Sequence, residues 1–370
     1  MTVQNDGIPA AGSADGVDRY DVVVVGGGAA GLGGGLALAR ARRSVLVVDA
    51  GEPRNAPAEG VHNYPGREGT SPAELLADGR AEVTGYGGTV VAGRVVSARP
   101  LEQRPEGQEE GRAGFTVALA DGTRVRARRL LVTSGLVDEL PDVPGLAQRW
   151  GRDVLHCPYC HGWEVRDRTI GVLATGPHGV EQALLFRQWS EDVTLFLHTA
   201  PDPTEEQRER LAARGVVVVD GEVAGVEVTD DRLTGLRLRS GRVVGCEAVA
   251  VAPRFVARGE VLASLGLDTA ELSNGTESFG SYVPAGPAGA TEVPGVWVAG
   301  NATDLYAGAI QAAAAGVTAA AAINADLVGE DTDRAVAGFR ARGAGAEGPF
   351  SARMEAAVAE RVLGARRHGL

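Results

Sequence analysis

Four consecutive valines, Val22–Val25, follow Tyr20-Asp21 and lead directly into Gly26-Gly27-Gly28-Ala29-Ala30-Gly31. A continuous β-branched run without polar alternation predicts a strand buried on both faces, as in a parallel sheet. The apolar positions then take helical spacing over Leu32–Arg42, and a second apolar run, Ser44–Val48, predicts another strand that delivers Asp49 at its end. The stretches "GTVVAGRVVSARP" and "GFTVALADGTRVRARRLLVTSG" alternate with period two. The turn residues Asp121-Gly122 predict a hairpin there, with Leu130–Gly135 as a further buried strand. Thr169–Ala183 repeats the strand–turn–helix pattern, Val193–Leu197 supplies its next strand, and "GVVVVDGEVAGVEV" and "GLRLRSGRVVGCEAVAVAP" continue a smaller sheet. A short strand and turn, "GVWVAGNATD", precede an Ala-rich helix expected from about Ala309 to Leu327. "GAGAEGP" then breaks the chain before a last amphipathic helix near Ser351–Arg366. Strands alternating with helices place the chain in the α/β class.

Composition narrows this picture. A chain of 370 residues is long enough for two domains. With 44% hydrophobic but only 5% aromatic residues, the core must be built from Ala, Gly, Val and Leu through close helix–sheet contact. A net charge of -12 argues against nucleic acid or an anionic membrane as the main partner, since both select a basic surface. Residues 1–18 have neither an apolar segment nor a basic start and are expected to be a disordered leader. No run of 18 apolar residues occurs, so no membrane span is expected. Three cysteines do not make a secreted disulfide framework, and the expected compartment is the cytoplasm.

Two segments carry chemistry. In the first, Gly26 permits a tight turn, Gly28 lets a pyrophosphate approach the backbone, and Gly31 lets the helix lie close on the strand; Ala29 and Ala30 complete the turn. Asp49, followed by Ala50, stands 18 residues after Gly31, where a carboxylate can accept a hydrogen bond from a ribose hydroxyl. Strand, glycines, helix, strand and acid in that order predict a dinucleotide site. The second segment is "HCPYCHGWE", His156–Glu164, with two thiols three residues apart and an imidazole on each side. Zinc is disfavoured because four ligands so close in sequence rarely complete a tetrahedron and no second ligand pair accompanies them. A purely structural disulfide is disfavoured because so small a loop removes little unfolded-state entropy. A working redox pair is the expectation, and no metal is expected. Cys246 reads as a small core residue.

Taken in order, the Gly26–Gly31 turn, the Cys157-Pro158-Tyr159-Cys160 motif, the second turn at 174–179 and "WVAGNATD" resemble the thioredoxin reductase group of flavin-dependent disulfide oxidoreductases, over roughly residues 19–330. The resemblance implies two Rossmann-like three-layer domains. A discontinuous FAD domain would comprise 19–138 and 255–335, a pyridine-nucleotide-type domain would be inserted at 139–254, and 336–370 would form a helical extension. It implies FAD contacts from Gly300 and Asn301, where the group usually has Asp at the second position, and from Ile310 and Gln311 at the start of the closing helix. It implies Cys160 as the flavin-side thiolate and Cys157 as the sulfur that meets substrate. His161, where the group has an acid, becomes the proton-transfer group, with His156 as its assistant; imidazole suits that work near neutral pH. It also implies a homodimer.

The second nucleotide turn departs from the group. Ala174 stands for its first glycine, and His198-Thr199-Ala200 follows the next strand where NADPH users carry an arginine pair for the 2′-phosphate. NADH could still use Gly176 and the helix start. These departures match the small-molecule dithiol oxidases, the gliotoxin- and holomycin-type branch, which pass electrons from a dithiol through the cysteine pair and FAD to O2. The expectation is therefore a dithiol oxidase acting on a small natural-product dithiol. An NAD(P)H-dependent disulfide reductase is the alternative, and a flavin-binding redox sensor a further one. The loop "HNYPGREGTSP", near His62 and Tyr64, is expected to supply pocket wall.

Overall fold

A computed structural model describes residues 17–101, 114–275, 278–341 and 352–363. Most of the expected leader and the "GAGAEGP" break lie outside the described residues. The chain separates into a large unit ending at Ala321 and a small one beginning at Ala322.

The large unit contains two sheets built around parallel strands, the first with an antiparallel margin. In the first, Thr89–Ala92, Val45–Asp49, Arg19–Val25 and Arg124–Val132 lie side by side in that order, and Val296–Val298 continues beyond Arg124–Val132. The register aligns Val25 with Val48 and with Val132, and Val132 with Val298. The carboxyl ends of these strands are therefore level, and the segments after them, starting with Gly26, Asp49, Thr133 and Ala299, open onto one edge. In open α/β sheets that edge is where ligands bind.

The strand Arg124–Val132 is unbroken, whereas the pattern divided it into a hairpin arm and a separate strand at Leu130. Its first half alternates because it pairs with Phe115–Leu119 at the sheet margin. Its last three residues, Leu130–Val132, are apolar because Arg19–Val25 and Val296–Val298 flank them on both sides. The helix Ala29–Arg40 covers this sheet, and the helix Ala309–Ala341 lies against its start. A Cβ on Gly316 would come within 1.9 Å of the Ala30 carbonyl oxygen, so the backbones meet with nothing between them.

In the second sheet, Val217–Val219, Val193–Phe196, Ile170–Leu173, Ala248–Val251 and Val154–Leu155 are all parallel. Its three central strands are buried along their whole length, as their unbroken apolar runs require. Two segments run between the sheets, Leu136–Glu139 and Arg254–Ala257. They pair antiparallel, with Asp138 opposite Phe255, inside a small sheet completed by Ala270–Ser273 and Ser278–Tyr282.

The Ala-rich helix runs 33 residues to Ala341, past the expected end at Leu327. "VGEDTDRAVAGFRA" contains no proline and carries a Glu330–Arg334 pair one turn apart, which favours continuation. By length and composition alone this helix could cross a membrane. The Gly316–Ala30 contact instead assigns its first turns to the interior of the large unit. Within the small unit, Val328, Val336 and Phe339 are exposed on this helix, and Met354, Val358 and Val362 on the helix Ala352–Leu363.

Candidate active site

The glycine turn is set by close contacts. Gly26 has φ +102, a left-handed conformation open to glycine, and a Cβ on Gly31 would lie 1.8 Å from the Gly26 carbonyl oxygen. The Thr133 hydroxyl donates to the carbonyls of Val25 and Gly26, each at 2.9 Å, and so ties the turn to the neighbouring strand. Gly28, the N-cap of the helix Ala29–Arg40, has open space where its Cβ would stand. No side chain caps this helix start and no acid lies in its first turn. Backbone N–H groups at such a terminus attract an anion.

Around this turn, Asp49 accepts Arg80 at 2.6 Å and the Gly51 N–H at 3.2 Å, which orients its carboxylate. Ala50 is exposed. Gly300, at φ +73, would bring a Cβ within 2.8 Å of the Ala30 Cβ, so the two turns touch. The Asn301 amide nitrogen donates to the Asp304 and Ala307 carbonyls, both at 2.9 Å, bracing the loop that follows. An aspartate could not donate these bonds, which gives the amide a local role. Ile310 is half-buried and Gln311 exposed, with the Gln311 side chain folded back toward Gly308.

Cys157 is the N-cap of a single helical turn, Pro158–His161, and both Cys160 and His161 donate their N–H to its carbonyl at 3.1 Å. Pro158 suits the first helical position because its missing N–H has no partner to lose there. This turn brings Cys157 and Cys160 into a disulfide. Two contacts hold it on the loop expected as pocket wall: Asn63 donates to the Tyr159 carbonyl at 2.5 Å, and His62 Nε2 lies 3.5 Å from Glu164.

The flanking histidines differ in surroundings. His156 stands edge-on to Phe255 at 5.1 Å, Phe255 meets Tyr306 at 5.4 Å, and Tyr306 lies in the loop braced by Asn301. Arg54, held bidentately by Asp138 at 2.7 and 2.8 Å, lies over the same Phe255 ring. Burial, then the Arg54 charge, holds His156 below the ordinary imidazole value. Burial does the same for His161, opposed by the Glu164 carboxylate. His156 Nδ1 and His161 Nε2 are both buried without a hydrogen-bond partner. A neutral ring nitrogen of this kind beside a disulfide can take a proton from an incoming thiol.

The second nucleotide turn is tightly closed. A Cβ on Gly179 would lie 2.3 Å from the Ala174 Cβ. Pro177 removes one N–H, and the His178 ring stacks on Phe279 at 4.8 Å with 3° between planes. His198, where a cation for the 2′-phosphate would stand, accepts the Val223 N–H on Nδ1 at 3.1 Å, and burial lowers its pKa. Cys246 is buried in the core below, and burial pushes its thiol up to about 12.

Residues 20–320 match the family model described as pyridine nucleotide-disulphide oxidoreductase. The chain belongs to this family. Among curated relatives of this oxidoreductase, the thioredoxin reductase sirT of Leptosphaeria maculans is 28% identical over 328 residues, covering 84% of this chain and 95% of that one. The thioredoxin reductase tcpT of Claviceps purpurea (strain 20.1) is 31% identical over 253 residues, covering 65% and 70%. Among solved structures, HlmI superposes with a TM-score of 0.79 at 43% identity, covering 90% of this chain and all of that one. The oxidoreductase is thus a thioredoxin reductase-like FAD protein.

The residues present fit FAD. The open side of Gly28 and the uncapped helix start would receive the pyrophosphate, Asp49 the ribose, and the Gly300–Asn301 turn the opposite side of the cofactor. Gly28 already has φ -77, which any residue adopts, and Gly28→Ala should therefore fold normally. Its new Cβ would occupy the approach to the helix start, so flavin affinity is expected to fall at least tenfold, ~1.4 kcal/mol. Thermal melting of the apoprotein and flavin release on dilution measure the two effects separately.

Among the oxidoreductase's structural contributors not singled out in the sequence are Thr133, Phe255, Tyr306 and Phe279. Thr133 ends an apolar strand and had a signal in its position, since its register partner is the strand that begins the glycine turn. Phe279 had none.

Proposed function

We propose that this oxidoreductase is a dithiol oxidase that closes a disulfide within a small-molecule dithiol, with O2 as the final acceptor. The observation that carries this reading is the second nucleotide turn, where Pro177, the His178–Phe279 stack and the engaged His198 occupy the positions that would hold a phosphorylated nicotinamide. The likeness to HlmI over nine-tenths of the chain supports it. The cysteine pair forms a disulfide, the form that accepts electrons from a dithiol, and the imidazoles on either side of it in sequence are held below the ordinary value by burial.

His161 takes a proton from one substrate thiol, and the thiolate attacks Cys157, breaking the Cys157–Cys160 bond and forming a mixed disulfide. The second substrate thiol then attacks the substrate sulfur of that mixed disulfide. The substrate leaves oxidised, with Cys157 and Cys160 reduced and Cys160 held as the thiolate. The chemistry FAD supplies when bound is two-electron redox, linking the reduced pair to O2. The exposed Tyr159, Trp163 and Tyr306 give the surroundings of the disulfide an aromatic surface, and the buried Phe255 packs between Tyr306 and His156.

The reading is tested by oxygen uptake with a panel of small dithiols and no nicotinamide. Turnover is expected with dithiols and not with monothiols, and added NADPH should not raise it. A disulfide reductase driven by NADPH is the second reading, favoured by the surviving Gly176; NADPH-dependent disulfide reduction without dithiol-driven oxygen uptake would establish it.

A pH dependence follows from burial. The base must be neutral, and His161 is held below its ordinary value, so the acid limb of kcat/KM should lie below the ordinary imidazole value. His161→Gln should remove that limb and lower kcat/KM by about a hundredfold.

We place the enzyme in the cytoplasm as a homodimer. The exposed apolar residues Val328, Val336 and Phe339 support a surface that a second copy covers. Sedimentation at twice the 38.1 kDa chain mass is the expected result, and Phe339→Asp should weaken the association.

A further inference from the structure

One aromatic ring lies where the segments around the cofactor turns and the cysteine pair converge. Phe255, buried in the strand Arg254–Ala257, pairs across to Asp138 on the other segment that runs between the sheets. The His156 ring stands nearly perpendicular to it, at 5.1 Å and 76°, and His156 immediately precedes Cys157. The Tyr306 ring meets it in the same manner, at 5.4 Å and 81°. Tyr306 donates its N–H to the Asp304 carboxylate at 3.1 Å, within the loop that Asn301 braces beside the Gly300 turn. Arg54, on the loop that follows Asp49, covers the Phe255 ring at 5.1 Å.

Arg54 is held there by an ion pair that stability alone does not explain. The side chain of Asp138 is 7% exposed and that of Arg54 29%, so both charges give up much of their water. Such a pair adds little net stability over apolar residues of similar volume, whereas its two parallel hydrogen bonds fix one arrangement. The two segments between the sheets are also tied together just after Thr133. There the Ser134 hydroxyl donates to the Arg258 carbonyl at 2.6 Å, and the Arg258 N–H donates to the Gly135 carbonyl at 2.9 Å. Ring contacts thus run unbroken from the loop after the Gly300 turn to the residue before Cys157.

We propose that Phe255 is a positioning residue that sets the register of the Cys157–Cys160 segment against the bound cofactor. Tyr306 and the Arg54–Asp138 pair fix its ring from the cofactor side. The inference rests on the reading of Cys160 as the flavin-side sulfur and is independent of the substrate's identity. The step it serves is the second half of the reaction. The Cys157 thiol and the Cys160 thiolate lose two electrons and one proton, the Cys157–Cys160 bond re-forms, and the electrons and proton pass to FAD. Reacting groups misplaced by about 1 Å lose on the order of a hundredfold in rate. A junction of packed rings holds that alignment because close-packed side chains deform little.

The test uses the full chain with FAD bound, in a Cys157→Ser background that leaves Cys160 a free sulfur, at mildly alkaline pH. A thiolate aligned on the oxidised flavin gives a long-wavelength absorbance band at equilibrium, a readout that needs no turnover. Cys157→Ser should show this band. Adding Phe255→Leu, which keeps the site apolar and removes the ring, should abolish it while FAD stays bound. Because Phe255 is buried, a second variant guards against a folding defect. Tyr306 is 60% exposed, and adding Tyr306→Ala should likewise weaken the band, whereas Tyr306→Phe, which keeps the ring contact, should retain it. A band at full strength with either Phe255→Leu or Tyr306→Ala overturns the proposal, as does a band lost only together with the FAD. Absence of the band from Cys157→Ser itself would instead refute the placement of Cys160 beside the flavin.

Discussion

Cys160→Ser ends dithiol oxidation while leaving a folded, yellow protein. The substitution removes one sulfur from a single helical turn on the edge of the site, and the backbone bonds from Cys160 and His161 to Cys157 do not involve it. What disappears is the bond that substrate must break. A serine hydroxyl forms no disulfide, so Cys157 has no partner to release and the chain cannot accept two electrons from a dithiol. Turnover should fall by about a thousandfold or more, to the level of uncatalysed air oxidation. The remaining Cys157 should still exchange, so a small aromatic disulfide should leave one stable adduct on Cys160→Ser, visible as a mass increment that Cys157→Ser lacks. Retention of half the turnover in Cys160→Ser would remove the cysteine pair from the mechanism.

Gly31→Ala has the other large effect, on folding and cofactor together. The added methyl would lie 1.8 Å from the Gly26 carbonyl oxygen and 2.7 Å from Thr133 Oγ1, and the first of these is backbone in the turn itself. No side-chain rearrangement relieves that contact. The helix Ala29–Arg40 must move off the sheet, which disturbs the Gly300 turn and the Gly316 contact pressed against Ala30. A loss of about 3 kcal/mol or more is expected, with a purified protein that is colourless. Melting temperature and the flavin-to-protein absorbance ratio measure the two effects. The contrast with Gly28→Ala isolates the cause, since there the methyl enters open space and only cofactor affinity should fall.

Features fixed by the nearest few residues were legible in the sequence. Val22–Val25 and the glycines after them announce a buried strand and its turn because backbone sterics act over a handful of positions. The Cys157–Cys160 spacing announces its own pairing on one helical turn. Other features depend on partners far along the chain. His62 meets Glu164 only because the loop after the second strand folds onto the cysteine helix, and no periodicity records that contact. Asn301 was legible as a position in the cofactor turn, whereas the bonds from its amide nitrogen to the Asp304 and Ala307 carbonyls depend on the fold of the loop that follows. The His178–Phe279 stack joins a turn in the second sheet to a strand that pairs with a crossover segment, so neither residue could signal the other. The strand Arg124–Val132 looked like two because its neighbours change halfway along it, altering the pattern within one element.

One experiment bears most directly on the flow of electrons through this site: anaerobic titration of the FAD-bound chain with dithiothreitol and, separately, with NADPH. If dithiols feed the cysteine pair and the second nucleotide turn holds no phosphorylated nicotinamide, dithiothreitol reduces Cys157–Cys160 and discharges the yellow colour, while NADPH leaves it unchanged. Rapid loss of colour with NADPH, with dithiothreitol leaving the flavin oxidised, would contradict the dithiol oxidase outright.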